Sequence, residues 1–328
     1  LIDNYDQTLA LSAAQATARE DLDAHGRFIR VLEREGRLDR VVERLPSEDQ
    51  LAELKLRRAG LTRPELAVLL AYSKIRLRDE LIASKVPDQP AFEADLAQYF
   101  PEILARRFGS ELSSHRLRRE IIATKIANEL VNIGGITMVN RQHELSGAPV
   151  PGIACAYAVA RNVFDIVGVR GAINALDNKV DSATQIRLHV ALRTFLRRQV
   201  HWFVRQAAGA ELDIEASIGR FRPLAARLES ALAGNISSFV LNHIATAKAE
   251  LLAKSVPEAL AQTIAQLEAM TPACDIIELA NDLKARVDVV LQSRAAIGES
   301  LGLERLFAAA LRLTSDDHWE RLAIRRIV

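Results

Sequence analysis

The sequence predicts an all-α protein, a bundle-like array of many helices with no significant β-sheet. Three observations predict it. Apolar residues recur at helical spacing in one segment after another. Ten prolines and fifteen glycines in 328 residues are few, and they fall between the periodic segments. Strand signals are nearly absent, and nothing alternates strand with helix as a parallel sheet requires.

Helix starts are marked first. Ser47 with Gln50 and Thr62 with Glu65 have capping-box spacing, in which the N-cap hydroxyl and the third side chain satisfy free backbone N–H groups reciprocally. After Thr62, Leu66, Leu70, Leu77 and Leu81 share one helix face. Ile122, Ile126, Leu130 and Ile133 share another, on a helix ending near Gly134-Gly135. Pro151, Pro257 and Pro272 sit where a first helical turn tolerates a missing N–H. Ile166-Val167-Gly168-Val169 is the best strand candidate, but it is short and flanked by helical patterns, so it reads as a turn.

Ser182 with Gln185 repeats the capping spacing and opens the longest helix, running to about Gln206. At about 100° per residue, Leu188, Leu192, Phe195, Leu196, Trp202 and Phe203 form a broad apolar stripe. Ile186, Val190, Val200 and Val204 widen it, while Arg187, Arg198 and Arg205 form a narrow ridge. Such a helix should be central to the packing. Its end near Ala208-Gly209-Ala210 suggests two helical domains, 1–208 and 209–328. Glu144 through Leu176 and Glu278 through Ala310 have related apolar patterns, which leaves open a duplicated helical hairpin.

Composition narrows the classes. With 43 Lys+Arg against 42 Asp+Glu, the net charge of +1 gives no bulk reason to expect nucleic acid or a membrane surface as partner. Cys155 and Cys274 form no CxxC pair and suit a reducing cytoplasm. No apolar run approaches the roughly 18 residues of a membrane span. The chain opens on Leu1 and stops at Ile327-Val328 within a helical pattern, so a fragment is expected.

Candidate chemistry is sparse. Gly134-Gly135 and Gly168…Gly171 are the glycine pairs to test for a dinucleotide loop, but neither has a third glycine or a preceding strand. They read as helix caps and turns. His25, His115, His143, His189, His201, His243 and His318 are scattered. Asp316-Asp317-His318, before Trp319, reads as the acidic first turn of a terminal helix rather than a metal site. No GxSxG elbow is present, and nothing marks either cysteine as activated. Arg57-Arg58, Arg106-Arg107, Arg116/Arg118/Arg119 and Arg197-Arg198 are interleaved with acids and lack aromatic platforms, so they read as solvated faces and salt bridges.

An ordered set of motifs carries a resemblance. Asp3-Asn4-Tyr5-Asp6-Gln7-Thr8-Leu9-Ala10-Leu11-Ser12 comes first, then Leu61-Thr62-Arg63-Pro64-Glu65-Leu66-Ala67-Val68-Leu69 and Ala71-Tyr72-Ser73-Lys74. Tyr99-Phe100-Pro101, Leu117 through Thr124, Asn128-Glu129-Leu130-Val131-Asn132 and Gly134-Gly135-Ile136-Thr137-Met138-Val139 follow. The set closes with Ala156 through Arg161, Ala175 through Asn178, and His201-Trp202-Phe203-Val204-Arg205. Together they resemble the C-terminal region of the large bacterial NAD-specific glutamate dehydrogenases. Beyond about Gly209 the likeness thins to Gly302-Leu303 and the Trp319 region.

The resemblance implies a parent that oxidatively deaminates L-glutamate to 2-oxoglutarate and ammonia, with NAD accepting the hydride. It implies that the lysine and aspartate catalysts and the nucleotide loop belong to an upstream domain. No position here matches those motifs, so no catalytic, cofactor-binding or metal-binding residue is assigned. The expected partners are that upstream catalytic domain and further copies in a homo-oligomer, with no membrane or nucleic acid. The expected role is structural support, oligomerisation or regulation. A free-standing helical adaptor that binds protein or nucleic acid is the alternative.

Overall fold

Every regular element among the described residues is a helix, in line with the periodicity. The computed structural model describes residues 2–207 and 211–303, together with Leu306, Ala309, Leu313 and Glu320. These fall into two units, residues 1–177 with 181–219, and residues 178–180 with 220–328. The expected break at Ala208-Gly209-Ala210 lies outside the described residues, as does the terminal Asp316-Asp317-His318 turn. Residues 304–310 of the proposed second hairpin lie largely outside them too.

The first unit opens with α1 (Ile2–Ala16), α2 (Leu22–Arg34), α3 (Glu48–Leu56) and α4 (Arg63–Ile82). Two 3-10 turns lead into the short helices α5 (Glu93–Tyr99), α6 (Glu102–Arg107) and α7 (Gly109–Leu112). Next come α8 (Arg118–Gly134), α9 (Met138–Ser146), α10 (Val150–Val163), α11 (Ile166–Asn174) and α12 (Ser182–Ala207). Residues 214–219 of α13 (Ile214–Asn235) belong to this unit and the rest of that helix to the second. The second unit continues with α14 (Ser238–Ala253), α15 (Glu258–Gln266), α16 (Ala273–Asp282) and α17 (Val287–Leu301). There, α14 packs on α15 and α16 on α17.

Two capping boxes form as their spacing requires. The Ser47 N–H donates to Gln50 Oε1 at 2.8 Å, and the Gln50 N–H donates to Ser47 Oγ at 3.2 Å. The Thr62 N–H and hydroxyl both donate to the Glu65 carboxylate, at 2.6 and 2.7 Å. The third box does not form. Asp181 caps α12 instead, accepting from the Thr184 N–H at 2.8 Å and its hydroxyl at 2.6 Å. A carboxylate is the stronger acceptor for an unpaired N–H, and it lies one residue earlier. Gln185 is thereby released to donate to the Ile173 carbonyl at 3.0 Å.

Two other expectations are corrected. Ile166-Val167-Gly168-Val169 is the first turn of α11, not a loop. Asp165, at φ 45°, ψ 44°, turns the chain sharply after α10, and Ile166 and Ile173 then bury one face of a new helix. A Cβ at Gly168 would lie 2.2 Å from the Asp165 carboxylate, so a larger residue there would require that side chain to move. Pro223 stands inside α13, contrary to the expectation that prolines lie between helices. Lacking an N–H, it leaves the Gly219 carbonyl without its i+4 donor. The division between the units falls at that residue.

The core of the first unit is built on α8 and α12. The predicted faces are inside: Leu66, Leu70, Leu77 and Leu81 of α4, and Ile122, Ile126, Leu130 and Ile133 of α8, are buried. These two helices pack along each other, and α1 lies against α4, α8 and α12. Of the α12 stripe, Leu188, Leu192, Phe195, Leu196 and Phe203 are buried, while Trp202 is only half-buried. The helix packs on α10, whose Ala154, Ala156, Ala158 and Ala160 are nearly inaccessible. Small side chains let two helix backbones approach closely. No single helix among the described residues is long and apolar enough to cross a membrane.

Two substitutions test this scheme. Ile126→Ala should destabilise the chain by about 2–5 kcal/mol through the cavity it leaves. Ser47→Ala should cost only about 1 kcal/mol through the lost cap. Urea unfolding of both variants measures the contrast, and equal losses would contradict the assigned core.

Candidate functional site

Two networks hold buried ionisable side chains of the first unit. The first joins α5, α8 and α10. Arg161 grips Asp95 with both terminal nitrogens, at 3.0 and 3.1 Å, and reaches Glu129 at 3.1 Å. The Tyr157 hydroxyl donates to Glu129 at 2.9 Å, and Lys125 Nζ lies 3.0 Å from Asp95. The two cations thus match the two carboxylates. Burial alone would disfavour the Arg161 charge, but Glu129 and then Asp95 outweigh it and hold the guanidinium firmly protonated. Burial, reinforced by Glu129, pushes the Tyr157 hydroxyl far above the usual phenol range. This network ties α5, α8 and α10 together.

The second network surrounds the end of α8. Gly135 there has φ +93°, the left-handed region open to glycine. A Cβ at that position would lie 2.6 Å from Arg197 Nη2 and 3.3 Å from Arg193 Nε. Those α12 arginines cover the helix end: Arg193 Nε donates to the Ile133 carbonyl at 3.3 Å and Arg197 Nε to the Gly134 carbonyl at 2.7 Å. Cations at a helix C-terminus complement its dipole and satisfy carbonyls left without intrahelical partners. Arg141 of α9 donates to Asp21 at 2.8 Å, and the Thr17 hydroxyl donates to the same carboxylate at 2.9 Å. Gln142 links the Arg197 carbonyl, at 3.1 Å, to His201 Nδ1, at 2.9 Å.

Charge sets the proton affinities here. Burial opposes the Asp21 carboxylate, but Arg141, Arg197, His25 and the Thr17 hydroxyl overcome it, and its pKa falls far below the carboxylate range. Burial lowers His25 to about 4, opposed by Asp21 and assisted by Arg141, Arg197 and Arg193. His189 on α12 is also lowered to about 4 by burial, with Arg170 and Arg193 adding to it. Both imidazoles are neutral at pH 7.

The remaining candidates take ordinary structural places. Gly134 and Gly135 close α8, as their reading as a helix cap requires. Gly168 and Gly171 lie inside α11 rather than in a turn. Among the described residues, no group of three His, Cys, Asp or Glu side chains could hold a metal ion. Burial pushes the Cys155 thiol up to about 11 and raises Cys274 further, so neither is a ready thiolate. Arg119 clamps the end of α4 through the Ile82 and Ser84 carbonyls, both at 2.8 Å. Arg57 and Arg106 pair with Glu53 and Glu102 on their own helices.

Sequence reasoning missed both networks. A signal was present in Arg161, the single charge within the apolar α10, and in His25, set among Leu22, Phe28, Ile29 and Leu32 of α2. Arg193 and Arg197 interrupt the apolar stripe of α12 one helical turn apart. The partners of Arg161, Arg193 and Arg197 lie 32–66 positions away in sequence, and only the fold names them.

The sequence is similar to those of known proteins. Residues 58–328 match the family described as "Glutamate dehydrogenase, C-terminal". The chain belongs to that family. It is 36% identical over 323 residues to the NAD-specific glutamate dehydrogenase of Halomonas elongata and 36% over 324 residues to that of Pseudomonas aeruginosa. The enzyme of the same name from Mycobacterium tuberculosis is 32% identical over 328 residues. Each match takes in 98% of this chain and 20% of the relative, so the chain spans about a fifth of the length of these family members.

Two outcomes follow for this part of the glutamate dehydrogenase family. Asp95→Asn should cost about 3–5 kcal/mol, because it breaks a buried pair and leaves Arg161 under-compensated. Double-mutant cycles with Arg161→Met by chemical denaturation should return coupling well above that of an exposed pair, and additivity would contradict the tie. Stability should also depend on pH. Unfolded, His25 and His189 bind a proton near pH 6.5, but folded they resist until about 4. The unfolded chain therefore holds more protons between those values. Stability is complete above about pH 6.5 and falls as the pH drops toward 4, by at most about 3 kcal/mol per histidine. Unfolding free energies that stay level across that window would refute this, and His25→Gln should flatten part of the slope.

Proposed function

We propose that this chain is a non-catalytic helical scaffold of a large NAD-specific glutamate dehydrogenase, working in the cytoplasm. The parent reaction converts L-glutamate, NAD and water to 2-oxoglutarate, ammonia and NADH. An upstream domain of the parent holds the NAD and the catalytic residues, and this region supports that domain and the assembly of copies.

One observation carries the reading: the first unit uses several of its buried charges to join its own helices. Arg161 is held by carboxylates from α5 and α8, and Asp21 by Arg141 and Thr17. The guanidiniums of Arg193 and Arg197 take the carbonyls that end α8. A catalytic acid or base must be reachable from a substrate, and these groups face one another. The buried thiols, with raised pKa, suit a scaffold in a reducing compartment. The parent activity is taken from the relatives, which are NAD-specific glutamate dehydrogenases.

The 328-residue chain, mixed with NAD and L-glutamate, should give no NADH above background in an absorbance assay. Truncating a full-length parent to remove the corresponding region should lower its melting temperature, disturb its assembly state or change its kinetics. NADH production by the chain alone, or a truncated enzyme unchanged in all three respects, would overturn the proposal.

A further inference from the structure

Three short helices of the first unit leave an apolar surface open to solvent. Of these, α6 buries none of its side chains. Ile103 is 76% exposed, and Tyr99, Leu104, Phe108 and Leu117 are each 42–54% exposed. Local contacts gather these five side chains. The Phe108 N–H donates to the Leu104 carbonyl at 2.9 Å, one helical turn back. The Phe100 ring lies 5.5 Å from that of Tyr99 and 5.6 Å from that of His115. His115 Nδ1 in turn accepts from the Leu117 N–H at 3.1 Å, and α5, α6 and α7 pack on one another.

A helix of six residues is far too short to hold itself in water, and its usual support is an apolar face buried on a neighbour. Here Ile103 and Leu104 of α6 have no such cover. Two cations edge the surface. Arg107 lies 5.3 Å over the Phe108 ring, and Arg116 is exposed next to Leu117. Arg106 pairs with Glu102, and Arg118 and Arg119 with Asp88. Arg107 and Arg116 form no ion pair among the described residues.

We propose that this surface is the docking site for the upstream domain of the parent, which meets it with aliphatic side chains flanked by carboxylates. The proposal rests on the reading of this chain as part of a larger glutamate dehydrogenase. The chain corresponds to 20% of each relative, so most of the parent's length is left to supply the opposing face. Area and charge both favour that occupant over a second copy. An exposed patch of roughly a few hundred Å2 is well below the ~800 Å2 per partner that a stable complex of free proteins buries. It suffices for a partner on the same polypeptide, which tethering holds at a roughly millimolar effective concentration. A twofold contact of the surface with itself would also set Arg107 and Arg116 among like charges. On the upstream domain, Ile103 and Phe108 fill the centre of the contact, and the two arginines meet carboxylates at its rim.

The test uses the full-length parent. Benzoylphenylalanine in place of Ile103 should, on irradiation, crosslink to peptides of the upstream domain, read by mass spectrometry. Arg107→Glu combined with Arg116→Glu should lower that yield at least about fivefold through like-charge repulsion. In the unaltered parent, Tyr99 and Phe108 should lose their reactivity toward hydroxyl radicals. A crosslink to a second copy of this same region, or none at all, would overturn the proposal. So would a yield that ignores the charge reversals. Full radical oxidation of Tyr99 and Phe108 would also overturn it, and decides even if the labelled parent does not assemble. The scaffold reading fails on separate results, NADH formation by the chain alone or indifference to truncation.

Discussion

The end of α8 is the constraint on which the first unit depends. Its helix stops at Gly134, and the carbonyls released there have no helical donors to meet them. Side chains from two other helices do so: Arg193 and Arg197 of α12 take Ile133 and Gly134, and Ser73 of α4 donates to Ile136 at 2.8 Å. An unsatisfied buried carbonyl costs more than a hydrogen bond returns, so these contacts specify where α4 and α12 must lie. Gly135 makes the arrangement sterically accessible, since any side chain there would occupy the space of the two guanidiniums.

Apolar packing supplies the bulk of the driving force, but polar ties select among the ways of packing. The stripe on α12 and the leucine face of α4 pack by non-directional apolar contact. The bidentate grip of Arg161 on Asp95 is directional, with a fixed geometry and a penalty for misalignment. The same holds for Asp21 beneath Arg141. A fold poor in aromatic residues, at 5%, has few large side chains to impose a unique fit, and its buried charges take over part of that work.

That choice has consequences for function. Burial keeps His25 and His189 neutral at pH 7. Membership of the glutamate dehydrogenase C-terminal family and the lack of an assigned active-site residue are therefore compatible. The chain spans about a fifth of the length of these relatives.

Local patterns determined the helical class, two of the three capping boxes, and the buried faces of α4, α8 and α12, because each depends on residues within a few turns of one another. Local reading failed where a neighbour competed. Asp181 displaced Ser182 as the cap, a left-handed Asp165 converted an apparent turn into α11, and Pro223 was accommodated inside α13. The tertiary structure alone decided the charged networks. Arg161 meets an acid 66 residues away and Arg141 one 120 residues away, and no periodicity records a pairing at such separation. An isolated arginine in an apolar run tells the reader that a partner must exist, since a buried charge requires one. Which residue answers it depends on how the helices cross.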